Sequence, residues 1–472
     1  MKIILFICFA CLGRVTLAQE KQVHLSGNLS FLNDGDTVIL RVHQYAGFYY
    51  YKPFRRDYTC ASKDHDFEFN VPCAGGPQYI DLEFKGKENL NLNKYLVLPG
   101  DHVVITREKD DYQFHGPSAE QFHIQQQLRD TGLGYQRAMS YKFNPQTYAA
   151  NISGYDSCAK QCLAILEKKR LQLPDQFCRI LKTDVVAGLA WSVNYPLDIN
   201  TTTYTDSTDN PYQKPLVDFD KRFDADLRYR LTDSAAKINS FIYGESIYER
   251  YLIDSCQFRH RRFSVEKCYQ YEKEHFSGIL REQLVTLLLY SKRNTSQDIT
   301  AGVADALTYV QNPDFRALLM QLKSNNSVGV PAYNFVLKDE KDHLVRLSDF
   351  RGKLVIVDFW FTGCGNCRDL APLLFQVEKD FAGKKVVFVS INIDKSKTQW
   401  QASLNGGLYS SAYSTNLNTG GVQDPVIGHY EISAYPTLLL IDQQGHLGPV
   451  PGDPRLDNGK NIREVLNRYL NQ

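Results

Sequence analysis

The sequence LVIVDFWFTGCGNC, residues 354–367, specifies more of this protein's structure than any other stretch of similar length. It begins with an apolar run interrupted only by Asp358, which is typical of a strand that is buried on both faces. Cys364 and Cys367 follow with a spacing of about one helical turn, and a helical pattern then continues to residue 381. The stretch therefore predicts a buried strand that leads directly into a helix, with Cys364 at the N-terminus of that helix.

The position of the two cysteines favours chemistry on disulfides. The positive end of a helix dipole and its N–H groups stabilise a thiolate, so Cys364 is the predicted nucleophile. Disulfide exchange needs a second thiol that resolves the mixed disulfide, and Cys367 is placed for that role. Two alternatives stay open here, a structural disulfide and a zinc site, because C-x-x-C is also half of a zinc site. The other closely spaced pair, Cys158 and Cys162, has the wrong spacing for the second half.

The residues around the cysteines resemble the thioredoxin superfamily and, within it, the exported TlpA/ResA-like thiol-disulfide oxidoreductases. Asp358 lies six residues before Cys364, where the family has a buried carboxylate, and Pro372 lies eight residues after it, where the family's active-site helix is kinked. The resemblance covers residues 328–472. Three further segments contribute to it: PAYNF at 331–335, LSDFRGK at 347–353 and IDQQG at 441–445.

The segment ISAYPTL, residues 432–438, resembles the loop that carries the family's cis-proline. It predicts a cis bond between Tyr435 and Pro436, the alternative being an ordinary trans proline in a turn. A cis-proline at this place would hold the neighbouring backbone against the sulfurs, where a substrate chain could add a short strand pairing. The predicted substrate contacts are Tyr435, Gly365 and Asn366.

Two side chains on the predicted strand have expected roles at the site. Asp358 should have a raised pKa if its strand is buried, and it would then exchange a proton with Cys367. The alternative is an aspartate solvated at the edge of a sheet. Trp360 is expected to pack beneath the site, although a core aromatic residue needs no catalytic role.

Three residues depart from the family pattern. Asn366 replaces the proline often found between the cysteines, Gly363 replaces the usual tryptophan before the first cysteine, and Leu370 replaces an acidic residue. Because the dipeptide between the cysteines tunes the reduction potential, the direction of electron flow does not follow from this motif. Leu370 weakens the case for substrates close to those of the family.

The N-terminus has the pattern of a secretory signal peptide. Lys2 precedes an apolar run over residues 3–12, and small residues follow near Ala18. We therefore predict a signal peptide at 1–18 and a location in the periplasm or cell envelope, a buried strand being the alternative. Loss of this segment would change the formal net charge from +1 to −1 and leave nine cysteines.

The composition indicates a folded protein of several domains. The 472 residues are 43% hydrophobic and 23% charged, and the formal net charge is only +1. A near-neutral chain without long Lys/Arg blocks argues against a nucleic-acid partner. The expected partners are protein thiols or disulfides and an upstream redox protein, with no cofactor, no metal and no membrane span after signal cleavage.

The predicted fold is multidomain: a small antiparallel β domain, a middle α-helical region and a C-terminal α/β thioredoxin-like fold. The β domain has a segment, LVLPGD at 96–101, that resembles a domain preceding TlpA-like domains in exported proteins of Bacteroidota. Cys60 and Cys73 flank a hairpin there and would either form a disulfide or stay unpaired. The polar stretch 194–232 predicts a long loop. The expected bounds are 1–18 for the signal peptide, 21–116 for the β domain, 117–325 for the helical region and 328–472 for the thioredoxin-like domain.

The predicted function is an exported thiol-disulfide oxidoreductase that acts on other envelope proteins through its Cys-Gly-Asn-Cys centre, as a reductant. A thiol peroxidase is an alternative, but the threonine and proline that peroxiredoxins place before the attacking cysteine are here Phe361 and Val357. The other alternative is an envelope binding or assembly protein whose N-terminal regions carry the role.

Overall fold

The chain divides into two compact units, Met1–Leu133 with Lys160–Lys182 and Gly134–Ala159 with Thr183–Gln472. The predicted signal peptide, 1–18, lies outside the described residues, and the predicted domain bounds stay predictions. The computed structural model describes residues 21–73, 76–87, 90–132, 145–200, 212–259, 261, 263–293, 299–411 and 413–471.

The N-terminal strands pack around one apolar core, as predicted for a β domain. Among the described residues they form two four-stranded sheets, ordered β4-β1-β7-β8 and β3-β2-β5-β6. Neighbouring strands are antiparallel except β1 and β7, which are parallel. Alternate residues such as Val23 and Leu25 on β1 and Val38 and Leu40 on β2 enter the shared core. The strands are β1 Gln22–Asn28, β2 Thr37–His43, β3 Arg55–Ala61, β4 Asp66–Pro72, β5 Gln78–Phe84, β6 Leu92–Val97, β7 His102–Glu108 and β8 Asp111–His115.

The middle of the chain is helical, and α8 contributes a long buried segment to its core. Its residues 284–290 are all buried, and α5, α7, α9 and α10 contact it. The helices are α1 Ala119–Asp130, α2 Pro145–Lys169, α3 Asp175–Asn200, α4 Gln213–Ala225, α5 Ser234–Ile238, α6 Tyr243–Tyr251, α7 Val265–His275, α8 Gly278–Lys292, α9 Thr300–Tyr309 and α10 Pro313–Asn325. None of the described helices is long and apolar enough to cross a membrane.

The prediction of a long loop over 194–232 is wrong for most of the residues described there. Helix α3 continues to Asn200, and α4 occupies Gln213–Ala225. Leu216 and Phe219 are buried at a helical spacing, and Pro215 lies in the first turn, where a proline is tolerated. The polar residues of α4 form the solvent face of an amphipathic helix.

The C-terminal part is an α/β sheet, as predicted. Its order among the described residues is β10-β9-β13-β12-β11-β14, with β11 parallel to β12 and antiparallel to β14. Every residue of β11 is buried, and Leu354 and Ile356 face Leu374 and Val377 of α11. The elements are β9 Val336–Asp339, β10 Leu344–Arg346, β11 Leu354–Trp360, α11 Gly365–Asp380, β12 Val386–Asn392, α12 Lys397–Asn405, β13 Thr415–Asn418, α13 Pro425–His429, β14 Thr437–Ile441 and α14 Lys460–Leu470.

The other cysteine pairs singled out in the sequence are not disulfide-bonded. Cys60 and Cys73 are both thiols, and the buried Cys73 donates to the carbonyl oxygen of Gly76 at 3.3 Å. Cys158 and Cys162 are also thiols.

Candidate active site

Cys364 and Cys367 form a disulfide at the first turn of α11. Their Cα atoms are 5.3 Å apart, and Cys364 is the N-cap residue, whose sulfur accepts a hydrogen bond of 3.1 Å from the Cys367 N–H. Both cysteines are buried, whereas Gly365 and Asn366 between them are exposed. Cys364 thus lies at the helix N-terminus, as the spacing predicts, and Pro372 lies inside α11 on its exposed side.

The two cysteines pack against a cluster of aromatic side chains. Trp360 lies parallel to the ring of Tyr409, with centroids 4.7 Å apart, and both pack with the cysteines and with Trp400. The indole N–H of Trp360 donates to the Ser390 hydroxyl at 2.7 Å, and the Tyr409 hydroxyl accepts from the Gly363 N–H at 3.0 Å. These bonds hold the floor of the site and the residue before Cys364 in fixed positions.

The loop before β14 borders the same cluster. The bond between Tyr435 and Pro436 is cis, as predicted. Tyr435 packs against the cluster that contains both cysteines, and its ring meets that of Phe361 edge to face at 5.4 Å. Ser433 and Ala434, the two preceding residues, are exposed. The backbone next to the disulfide is therefore accessible from solvent at this loop.

Asp358 is buried on β11, which lies between β12 and β14, so the alternative of an aspartate solvated at the edge of a sheet is wrong. It pairs with Ser390 on one side and Leu438 on the other, and its side chain is on the same strand face as Ile356. Its Oδ1 atom has no hydrogen-bond partner among the described residues. Burial, together with the nearby Glu378 carboxylate, raises the pKa of Asp358 to about 7.

Glu378 is a second buried carboxylate that sequence reasoning missed. It is 5% exposed on α11 and accepts hydrogen bonds from Ser414 at 2.6 Å and from Ser411. Burial raises the pKa of Glu378, and the two serine hydroxyls oppose that rise. Its position four residues after Leu374, on the apolar face of α11, is the signal that could have identified it.

Comparison with known proteins agrees with this geometry. A family model described as thioredoxin-like matches residues 352–447. The thiol-disulfide oxidoreductase ResA of Bacillus subtilis is 32% identical over 149 residues, which are 32% of this chain and 77% of ResA. The chain belongs to the thioredoxin-like family of thiol-disulfide oxidoreductases.

Two further matches cover the same part of this oxidoreductase. The thioredoxin-like protein YneN of Bacillus subtilis is 28% identical over 132 residues, 27% of this chain and 75% of YneN. The solved thioredoxin domain of a thiol-disulfide oxidoreductase from Bacteroides vulgatus is 25% identical, with a TM-score of 0.27. It covers 30% of this chain and 99% of that domain.

The two residues before Cys364 are held by contacts that could not be predicted from the sequence. The Thr362 hydroxyl donates to Asp394 at 2.5 Å and contacts the Ser403 hydroxyl at 2.7 Å. Gly363 has a φ of 96°, a conformation that side chains rarely adopt. A glycine suits this backbone conformation.

Arg455 contacts the dipeptide between the two cysteines. It lies in a short helical turn between β14 and α14, and its Nη1 donates to the Asn366 carbonyl oxygen at 3.3 Å. Asp453 accepts two further hydrogen bonds from the same guanidinium, at 2.6 Å and 3.0 Å. A cation is therefore held next to the redox turn of the oxidoreductase.

Proposed function

We propose that this oxidoreductase is exported and reduces disulfides in other proteins of the cell envelope through Cys364 and Cys367. The observation that carries the proposal is the disulfide at the N-terminus of α11, packed beside the exposed loop that ends in the cis-proline. The N-terminal signal pattern supports export. An upstream redox protein would return the oxidised pair to the dithiol.

The reaction begins from the dithiol, with Cys364 as the attacking thiolate. Its sulfur attacks one sulfur of the substrate disulfide, so that bond breaks, a mixed disulfide forms and one substrate thiolate leaves and is protonated. The Cys367 thiolate then attacks the Cys364 sulfur and releases the second substrate thiolate. Two electrons pass to the substrate, and the enzyme is left with the intramolecular disulfide.

Asp358 is the proposed acceptor of the Cys367 proton. A thiol that lies 3% exposed in an apolar cluster does not ionise readily without a base. A carboxylate with a pKa of about 7 is near half ionised at neutral pH and can both take up and return a proton. The buried position of Asp358 therefore suits the exchange of a proton with Cys367 better than a structural ion pair.

The proposed substrate surface is the exposed rim of the site. Gly365 and Asn366 are exposed on one side of the disulfide, and Tyr435 and Pro436 are half-buried on the other. An extended substrate segment could hydrogen-bond to the backbone there while its own disulfide meets Cys364.

Trapping in the full-length protein tests the proposal. Cys367→Ser leaves the attacking thiol and removes the resolving one, so mixed disulfides with envelope proteins should accumulate and be released by dithiothreitol. The matched control is Cys364→Ser, which should capture none. A Cys367→Ser variant that captures no envelope protein, or a protein that stays in the cytoplasm on fractionation, would contradict the proposal.

A further inference from the structure

The helical region holds the segment that leads into the cis-proline loop. Arg293 follows α8 directly and is only 7% exposed. Its Nη2 donates to the Glu431 carbonyl oxygen at 2.7 Å, and its Nη1 donates to the Tyr290 carbonyl oxygen at 2.7 Å. The Nε atom lies 3.7 Å from the Glu431 carboxylate. One guanidinium thus joins the end of α8 to the main chain of the thioredoxin-like domain.

The geometry of Arg293 is fixed on three sides. Its guanidinium carbon lies 3.9 Å from the centroid of the Tyr290 ring, so the planar group is stacked as well as hydrogen-bonded. A buried cation that donates to two carbonyl oxygens makes short, directional bonds that a lysine cannot reproduce together. The carbonyl of Glu431 is therefore held in one position.

Helix α10 holds the same segment at two more points. Gln321 donates from Nε2 to the Glu431 carboxylate at 3.1 Å, and Asn325 donates from Nδ2 to the His429 carbonyl oxygen at 3.3 Å. Two helices therefore contact His429 and Glu431 through three side chains. The contacts of Arg293 and Asn325 are to main-chain carbonyl oxygens, so they hold the path of the backbone.

The held segment is connected to the substrate surface by a short piece of chain. Glu431 has a left-handed φ of 47°, and the next residue, Ile432, is buried and donates from its N–H to the Ile427 carbonyl oxygen at 2.9 Å. Only the exposed Ser433 and Ala434 separate this anchored residue from Tyr435. A shift of the Glu431 backbone would therefore be transmitted directly to the loop beside the disulfide.

We propose that the helical region positions the cis-proline loop for protein substrates, with Arg293 as the positioning residue. This inference rests on the proposed function, because it requires a protein disulfide to dock on the loop that follows Ile432. Arg293 touches neither sulfur, so the intrinsic reactivity of Cys364 does not depend on it. Through this contact, the helical region upstream of the thioredoxin-like domain would contribute to the binding of protein substrates.

The test compares a protein disulfide with a small one, using the full chain. Arg293→Met should lower kcat/KM for insulin reduction roughly tenfold, mainly by raising KM, the size expected from about 1.4 kcal/mol of lost docking. Reduction of the small disulfide 5,5′-dithiobis(2-nitrobenzoate) should stay within about twofold, because it needs no backbone pairing. Arg293→Lys, which keeps the charge, should restore part of the insulin activity.

Arg316→Met is the matched control. The Arg316 Nη1 donates to the Leu307 carbonyl oxygen at 2.6 Å, which is the same kind of contact confined to the helical region. This variant should keep the insulin activity of the wild type. Asn325→Ala, which removes only the bond to His429, should lower insulin activity in the same direction as Arg293→Met but by less.

Several outcomes would overturn the inference. One is an Arg293→Met protein with wild-type kcat/KM for insulin, and another is an equal loss with the small disulfide, which would locate the effect in the dithiol itself. An equal loss in Arg316→Met would show general destabilisation, which thermal unfolding of all variants would reveal. A wild-type protein that reduces neither disulfide would instead contradict the proposed function, and the positioning role with it.

Discussion

Replacing Asp358 by asparagine should stabilise the oxidised protein at pH 8 and change its stability little at pH 4. The carboxyl group is buried in β11, and its pKa rises from the ordinary 3.8 to about 7 because of burial and the nearby Glu378. The folded state therefore binds more protons than the unfolded state between these two values. Stability falls as the pH rises through this window, and the loss is complete above about pH 7.

The size of this effect follows from the pKa difference. At about 1.4 kcal/mol for each pKa unit, the ionised Asp358 costs the folded state as much as roughly 4 kcal/mol at pH 8. Asparagine has the shape of the protonated acid and does not ionise, so Asp358→Asn should recover most of that free energy. At pH 4 the wild-type Asp358 is already protonated in the folded state, and the two proteins should be nearly equal.

Guanidinium unfolding at both pH values measures the prediction. Two of the three tryptophans, Trp360 and Trp400, lie in the cluster around the disulfide, so tryptophan fluorescence reports mainly on the unfolding of this domain. Asp380→Asn is the control, because the ion pair with Arg463 lowers the pKa of Asp380 and its removal should destabilise the protein at pH 8. If Asp358→Asn changed the unfolding midpoint equally at both pH values, the reasoning on the buried carboxylate would be refuted.

Three further predictions concern groups around the disulfide. Glu378→Gln should lower the pKa of Asp358 but leave that pKa above 3.8, because burial is the larger cause of the shift. The pKa is measured as the midpoint of the pH-dependent difference in stability between Glu378→Gln and the Glu378→Gln/Asp358→Asn double mutant. A midpoint equal to that of the wild-type pair would contradict the prediction. Arg455→Gln removes a cation beside Asn366 that favours the thiolate, so the reduction potential should fall by roughly 10–30 mV in glutathione equilibration, and a rise would oppose the argument. Gly363→Ala should cost about 1–2 kcal/mol in denaturant unfolding because of its positive φ, and a neutral substitution would mean that this backbone relaxes freely.

Local patterns predicted the core of the site. The apolar run of β11, broken only by Asp358, and the cysteine spacing at the start of α11 depend on neighbours in sequence, so they could be interpreted without a structure. The cis bond before Pro436 was identified through resemblance of a short segment to a family, not from residue chemistry.

Long-range contacts could not be predicted in this way. Arg293 and Glu431 are separated by 138 positions, and neither residue stands in a recognisable motif. Glu378 is missed for a related reason, because only the packing of α11 on the sheet brings it near Asp358. The loop prediction fails at Gln213–Ala225 for a different reason: this segment is rich in polar residues, but Leu216 and Phe219 recur at a helical spacing.

The reduction potential of the Cys364–Cys367 pair in the full-length protein, measured by equilibration with glutathione, tests whether this site donates electrons. A reductant of envelope proteins should have a value near that of thioredoxin, roughly −270 mV. A value near about −120 mV, typical of a strong oxidant, would contradict the proposed direction of electron flow.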